Sequence, residues 1–284
     1  MDFGNNYGVH PFWPLSSRWF YGDTIFIVEP LWWAVAIPIL APRIQRAWLK
    51  GLLWILLGAV LLVCWFVPFV LPASRFTLLA LAGVAGVVGA RASARAGITF
   101  ALGSWLAIAA TFRVGSSAAK QQLTRATEAA FPALSIHDIA ASPMPANPSC
   151  WETLVVGEQG GQYRVLRASV ALWPLATERC TAGLDVEPTA QVSKLDRPSR
   201  GGVRWIHQYS AEIAELRKLT HDDCRFRALL QFARVPYAGE RRAGDLRYDR
   251  KPEPDFSDLD LPADAGPCPR WLPGWELPRA SLLR

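Results

Sequence analysis

Charge is what this chain has least of. Only 19% of its 284 residues are Asp, Glu, Lys or Arg, against roughly a quarter in an average soluble domain. The deficit is uneven: residues 1–112 hold seven Lys/Arg and three Asp/Glu, whereas residues 113–284 hold 23 and 21. Histidine is scarce too, with four. No phosphate-cradling glycine loop, Gly-x-Ser-x-Gly elbow or Cys-x-x-Cys pair occurs, so the commonest nucleotide, serine-hydrolase and dithiol signatures are missing. With 51% hydrophobic residues the chain is not intrinsically disordered, and five cysteines do not make a disulfide-dense miniprotein. The charges of the second part are mixed in sign and form no basic patch, so nucleic acid is not an expected partner.

What is present instead is apolar length. Gly51–Pro72 carries no charge over 22 residues, enough helix to cross a hydrocarbon core of about 30 Å. Ile25–Pro42 is also long enough but contains Glu29, Pro30, Pro38 and Pro42. Phe76–Ala90 and Gly97–Phe112 are shorter, and a buried helical hairpin is the alternative for them. The basic turn with Arg91 and Arg95 between two Gly/Ala-rich runs favours spans, and the series Gly83, Gly86, Gly89 suits close helix packing in a bilayer. The expected architecture is a membrane protein with about four transmembrane α-helices (25–42, 51–72, 76–90 and 97–112), followed by a small α+β soluble domain (113–251). A Pro/Asp-rich tail (252–284) completes it, and the lipid bilayer is the expected partner.

Residues 1–24 lack the basic start and apolar core of a signal peptide. Their aromatic and polar character suits a segment at the membrane surface, where Trp and Tyr concentrate. Arg43, Arg46 and Lys50, together with Arg91 and Arg95, place the two short loops in the cytoplasm of an inner-membrane, multi-pass protein, with the soluble domain outside. Arg113, Lys120 and Arg125, just after the last span, weigh against that orientation. Cys150, Cys180, Cys224 and Cys268 form an even set in the soluble half; they permit two disulfides in any of three connectivities, or stand as four unrelated thiols.

In the soluble half, Gly115–Phe131 reads as a polar helix stopped by Pro132, and the proline-rich stretch 142–150 as a connector. Residues 151–172 read as a hairpin around Glu158–Gly161, its second strand buried mainly on one face. Trp205, Tyr209, Ile213 and Leu216 recur at helical spacing, so 203–218 is expected to be an amphipathic helix with His207 beside its apolar face. Thr220 with Asp223 resembles a capping box opening a second helix to about Ala233. The tail is expected along the surface or loosely ordered. His221–Cys224 reads as a polar helix turn rather than a metal cluster, and His137–Asp138 has no partner at usable spacing.

Chemistry-bearing residues gather in Asp2–Trp33: Asp2, His10, Arg18, Tyr21, Asp23 and Glu29. Ionisable groups at a bilayer are costly and are kept where they pair, bind an ion or face a wet cavity. Glu29 falls inside the first apolar stretch. Paired with an arginine, it would only fix helix packing. The functional alternative is a polar site in which Asp2 and Glu29 ligate a divalent metal ion while His10 ligates or moves a proton.

The same run, DFGNNYGVHPFWPLSSRWFYGDTIFIVEPLWW (2–33), resembles the signature of the bacterial membrane-bound metal-dependent hydrolase family of the inner membrane. The resemblance lies in Tyr-Gly-Val-His-Pro-Phe-Trp-Pro, Arg-Trp-Phe-Tyr-Gly-Asp and Phe-Ile-Val-Glu-Pro, with a late Asp-Leu-Arg-Tyr at 245–248. It implies that Asp2 is a metal ligand, that His10, Arg18, Asp23 and Glu29 line the same site, and that a metal-bound water attacks an unidentified substrate. In that family a His stands four positions before the residue equivalent to Asp2, and further His motifs and spans lie upstream. Those would fall before residue 1, so the chain is expected to correspond to the C-terminal two-thirds of such a protein, with an incomplete donor set. The other reading is a non-catalytic inner-membrane protein whose soluble domain binds a partner.

Overall fold

The computed structural model describes residues 2–68, 70–172, 177–180, 192–249, 253–261 and 267–283. Three helices are long and apolar enough to cross a membrane: α2 (Ala47–Phe66), α3 (Pro72–Arg91) and α4 (Ala94–Ala130). Their outward faces expose Ile55, Leu62, Phe66, Val87 and Leu106, apolar surface that suits hydrocarbon rather than water.

The first apolar stretch does not form a fourth helix of that length. It is α1 (Pro30–Leu40), 11 residues closed by a single 3₁₀ turn to Arg43, whereas a spanning helix needs about 20. Pro30 opens α1 at a position where its missing N–H is not needed, and Glu29 is the N-cap rather than a residue within a span. Leu31, Ala34, Val35, Ile37 and Ile39 are all buried against α2, α3 and α4. Of the three spaced glycines only Gly89 serves helix packing. A Cβ there would lie 2.2 Å from the Pro38 carbonyl oxygen, while Gly83 and Gly86 face open space. At the far end of α1 the Arg43 guanidinium donates to the carbonyls of Ala92 (3.4 Å) and Ser93 (3.2 Å), so the two basic loops lie together, at the end of the bundle away from the sheet domain.

The helices expected at 97–112 and 115–131 are one. α4 runs 37 residues, about 55 Å, straight through the boundary at residue 113. No Pro interrupts it, Ser93 caps it by accepting from the Ala96 N–H, and it ends before Pro132. Gly115, Ser116, Ala119, Leu123 and Thr127 form one buried face that carries the sheet domain. At Gly115 the helix comes so close to the sheet that a Cβ would lie 2.5 Å from the Pro148 carbonyl oxygen and 3.1 Å from the Trp151 ring. Gly115→Val is therefore expected to destabilise the full chain by about 1–3 kcal/mol, read as thermal unfolding in detergent. Gly103→Val, where nothing lies within 4 Å, is expected to leave it unchanged.

The sheet is antiparallel, in the order β1-β2-β3-β5-β4, from β1 (Ser135–Met144), β2 (Asn147–Gln159), β3 (Gln162–Ala171), β4 (Ser193–Lys194) and β5 (Val203–Glu212). The expected hairpin is present, with Gln159 opposite Gln162 and both turn glycines at positive φ, as a two-residue hairpin turn demands. Its second strand is buried on both faces rather than one. α4 covers Trp151, Val155, Leu166 and Ala168 on one side. On the other, Leu154, Val156, Val165 and Tyr209 pack against α5 (Ile213–Asp222), α6 (Cys224–Leu229), α7 (Ala280–Leu283) and a second sheet. That sheet is β6 (Pro236–Ala238), β7 (Arg242–Asp245) and β8 (Leu259–Asp260).

Four local expectations change. The stretch 142–150 is the end of β1, a turn and the start of β2: Pro143 is on the edge strand, Pro145 in the turn, and Pro148 ahead of Cys150, where the pairing of β2 with β3 begins. Residues 203–212 are strand, and only 213–222 are helix. A spacing of four suits both periods, and a bulge at Ile206 sends Trp205 and Tyr209 to opposite faces; His207 is a buried strand residue. Asp223 caps α6 directly, accepting from the N–H groups of Arg225 (2.7 Å) and Phe226 (3.0 Å), and that helix stops at Leu229. The tail is built into the fold: it supplies β8, and Leu282 and Leu283 are buried in the core. The domain boundary expected at 251/252, and residues 262–266 of the tail, lie outside the described residues. The cysteines pair as Cys150–Cys180 and Cys224–Cys268.

Candidate functional site

The N-terminal block folds back on itself through the Val9–Phe20 bridge and packs against the far end of the chain. Asp2 is exposed, with the Asn5 amide 3.5 Å away. The His10 ring lies between Trp19 (centroids 3.8 Å apart) and Trp275 (4.3 Å). Burial pushes its pKa down, its Nε2 has no hydrogen-bond partner among the described residues, and it acts as one ring in an aromatic stack. Arg18 is exposed, without a carboxylate partner among the described residues. Glu29 is fully buried: its Oε1 accepts from the N–H groups of Leu31 and Ala146, each at 3.2 Å, and among the described residues its Oε2 has no hydrogen-bond partner and no arginine pairs with it. Among the described residues no group of three or more His, Cys, Asp or Glu side chains could hold a metal ion.

Asp23 is the predicted site residue with the richest surroundings. It is 1% exposed, and Arg234 donates to both of its oxygens (2.6 and 2.9 Å) while Lys120 donates at 2.6 Å. Arg234 also donates to Asp138 at 2.9 and 3.1 Å, and Arg279 bonds Asp138 from the tail. Burial alone would raise the Asp138 pKa, but the guanidinium of Arg234, with Arg279 and Lys120, holds it well below the ordinary carboxylate range. Such a carboxylate is a poor proton carrier and a good anchor. Five chain segments meet at this cluster: the N-terminal block, α4, β1, the loop before β6, and the tail.

Beside it, Arg247 donates to Asp245 (2.7 and 2.9 Å) and to the main-chain carbonyls of Asn6 and Tyr7. The two stretches that carry the family resemblance, 2–33 and 245–248, are therefore one interlocked unit. Sequence reading missed Arg234, Arg279 and Lys120, which lie 97 residues or more from Asp23 along the chain. Only the Asp-Leu-Arg-Tyr stretch gave a signal that the late region belongs with the early block.

These segments wall an open groove of about 940 Å³, large among ligand sites, which run roughly 300–1,000 Å³. Two aromatic rows line it. Trp19, Trp275 and Phe232 follow one another at 5.3 and 5.2 Å, and Tyr7, Tyr248 and Phe256 at 5.0 and 4.7 Å. Trp271, also in the wall, is 77% exposed and Phe256 79%. Arg225, Ser257 and Asp258 supply polar edges. The Nε atoms of Arg225 and Trp275 are buried without a hydrogen-bond partner among the described residues. The Cys224–Cys268 bond joins α6, next to Arg225, to the tail between Pro267 and Pro269, two further residues of the wall. Comparison of the chain with protein-family models, with curated proteins and with solved structures finds no match.

Proposed function

We propose that this chain is a membrane-anchored binding protein whose sheet domain presents the aromatic groove to a ligand. The observation that carries this reading is the groove itself. Phe256 and Trp271 expose large rings to solvent in its wall, while the charged cluster nearby is occupied in holding segments together. Two disulfides in the domain favour an oxidising compartment, and basic loops at the opposite end of the bundle favour a cytoplasmic location for that end. The domain then lies outside the inner membrane.

The test uses the full chain in nanodiscs, with tryptophan emission followed during titration with chitohexaose, a proline-rich decapeptide and lysophosphatidylcholine. A saturable response to any one of them that Trp271→Ala removes supports the reading. No response to all three overturns it.

A second reading, a metal-dependent hydrolase holding a divalent ion, is favoured by one observation: Glu29 keeps a buried oxygen with no hydrogen-bond partner among the described residues. No step is assigned to such an ion, because the described residues do not supply its ligand set. Metal content after equilibration with Zn²⁺, Mn²⁺ or Mg²⁺ decides it. Stoichiometric metal lost in Glu29→Ala supports this reading, and metal-free protein sinks it.

A further inference from the structure

A second cleft, of about 780 Å³, opens on the opposite face of the sheet from the aromatic groove, between the outer part of α4 and the loop leading into β5. Its charge is of one sign. Arg125 on α4 and Arg197 and Arg200 on the loop line it, and among the described residues no acidic side chain does. Glu128 and Asp196, the nearest acids along the chain, are exposed outside its wall. None of the three arginines has a carboxylate partner among the described residues.

The wall is held in place. The Gln122 amide donates to the carbonyls of Gly201 (2.6 Å) and Ala171 (3.1 Å). Arg200 and Val203 exchange main-chain hydrogen bonds at 3.0 and 3.1 Å, across a turn whose two glycines have positive φ. Arg197 is fixed by its bond to the Ala130 carbonyl (2.7 Å) and its seat over the Phe131 ring (4.3 Å). That bond occupies one N–H of a guanidinium that can donate several, and the side chains of Arg125 and Arg200 bond nothing among the described residues.

Three guanidiniums gathered without a counter-charge repel one another, and an anion relieves them. A carboxylate brings a single charge. A phosphomonoester brings about −1.5 to −2 and three strong acceptor oxygens, which guanidinium forks meet bidentately. The cleft is larger than a phosphate group needs, and Ala126, Ala129 and the Trp205 ring add carbon surface to its lining, so the rest of the ligand has an apolar bed. Ala118, where the cleft begins, lies about 8 Å along α4 beyond Arg113, the first charge after the apolar run. The headgroup layer beside the hydrocarbon is about 5–8 Å deep, so a lipid headgroup and a soluble ester can both reach it.

We infer that this cleft binds a phosphomonoester through Arg125, Arg197 and Arg200. The aromatic groove has no part in it, so failure of either site leaves the other standing. The probes are α-glycerophosphate and dioleoyl phosphatidic acid, which share the ester and differ in acyl chains. Each is added to the full chain in dodecyl maltoside and followed by calorimetry and native mass spectrometry. One ligand per chain is expected, bound less tightly as salt is raised. Arg125→Ala and Arg200→Ala are each expected to weaken it tenfold or more with the unfolding temperature unchanged, since both side chains are exposed. Arg241→Ala, at an exposed arginine between β6 and β7, is expected to leave binding as it was. Binding of α-glycerophosphate marks the ester alone as what is recognised, and binding of phosphatidic acid alone marks a lipid; either supports the assignment. Phosphatidylglycerol, a diester, bound as tightly as phosphatidic acid would overturn the monoester. No binding of either probe, or binding that Arg125→Ala and Arg200→Ala leave intact, overturns the site.

Discussion

Replacing Arg234 with alanine is expected to cost about 3–5 kcal/mol of stability, the largest single-residue effect in the molecule. The side chain is 3% exposed and holds two carboxylates at once; it also donates to the Ile139 carbonyl at 3.3 Å and lies over the Tyr21 ring at 4.1 Å. Its removal leaves Asp23 with only Lys120, and Asp138 with only Arg279. Asp23 is shut off from water and Asp138 is only 21% exposed, so what is lost is more than the attraction: one buried and one part-buried charge remain poorly compensated. Arg234→Lys keeps the charge but cannot address both carboxylates with a planar fork, and an intermediate loss is expected. Adding Asp138→Asn to Arg234→Ala should recover part of the loss by removing one stranded charge. Arg18→Ala, at an exposed arginine of the same block, should stay within about 0.5 kcal/mol. Denaturant and thermal unfolding of the full chain in detergent measure all four.

The same cluster sets an acid limit. Asp138 is held below its ordinary value of 3.8 in the folded state, so the unfolded chain takes up its proton first as pH falls. The stability it contributes is complete above the unfolded value and drains away as pH drops through that value towards the folded one. Acid unfolding is thus expected to set in below about pH 4, and Asp138→Asn to flatten that limb of the profile.

The membrane half was legible where composition decides. Gly51–Pro72 has no charge to contradict its length, and α2 lies there. The first apolar stretch misleads because its length hides two stops: Pro30 opens its helix and Pro42 sits in the 3₁₀ turn that closes it, so only 11 residues are helical, with Pro38 carried inside them. The hairpin was legible because Gly160-Gly161 can adopt a turn that few other pairs can. The strand 203–212 was not, since a four-residue recurrence fits either period and a bulge then scatters its faces. The block 2–33 stands out in the sequence as charged and aromatic beside an apolar stretch. What it binds to within the chain was hidden, because Arg234, Arg247 and Arg279 are ordinary arginines until folding brings them to it. Electrostatic pairing leaves no local periodicity to read.

Cys224→Ser with Cys268→Ser is expected to lower stability by about 2–4 kcal/mol, because the bond closes 44 residues and a loop of that size carries roughly 4 kcal/mol of chain entropy in the unfolded state. Cys150→Ser with Cys180→Ser, closing 30 residues, should cost nearly as much. The two pairs differ in what they hold. Cys150–Cys180 ties the start of β2 to a 3₁₀ turn at Thr177–Cys180, within a small buried cluster with Met144, Ala171 and Ile206. Cys224–Cys268 fixes the tail, and with it Pro267, Pro269 and Trp271, against the helix that carries Arg225. Loss of the first pair should therefore leave groove affinity unchanged below the new unfolding temperature. Loss of the second should weaken the probe at least tenfold under the same conditions, and mild reduction of the native chain should do the same. Equal effects of the two pairs on affinity would mean that the tail keeps its place without the bond. An unequal effect makes the affinity of the groove depend on the Cys224–Cys268 bond, which holds the tail against α6.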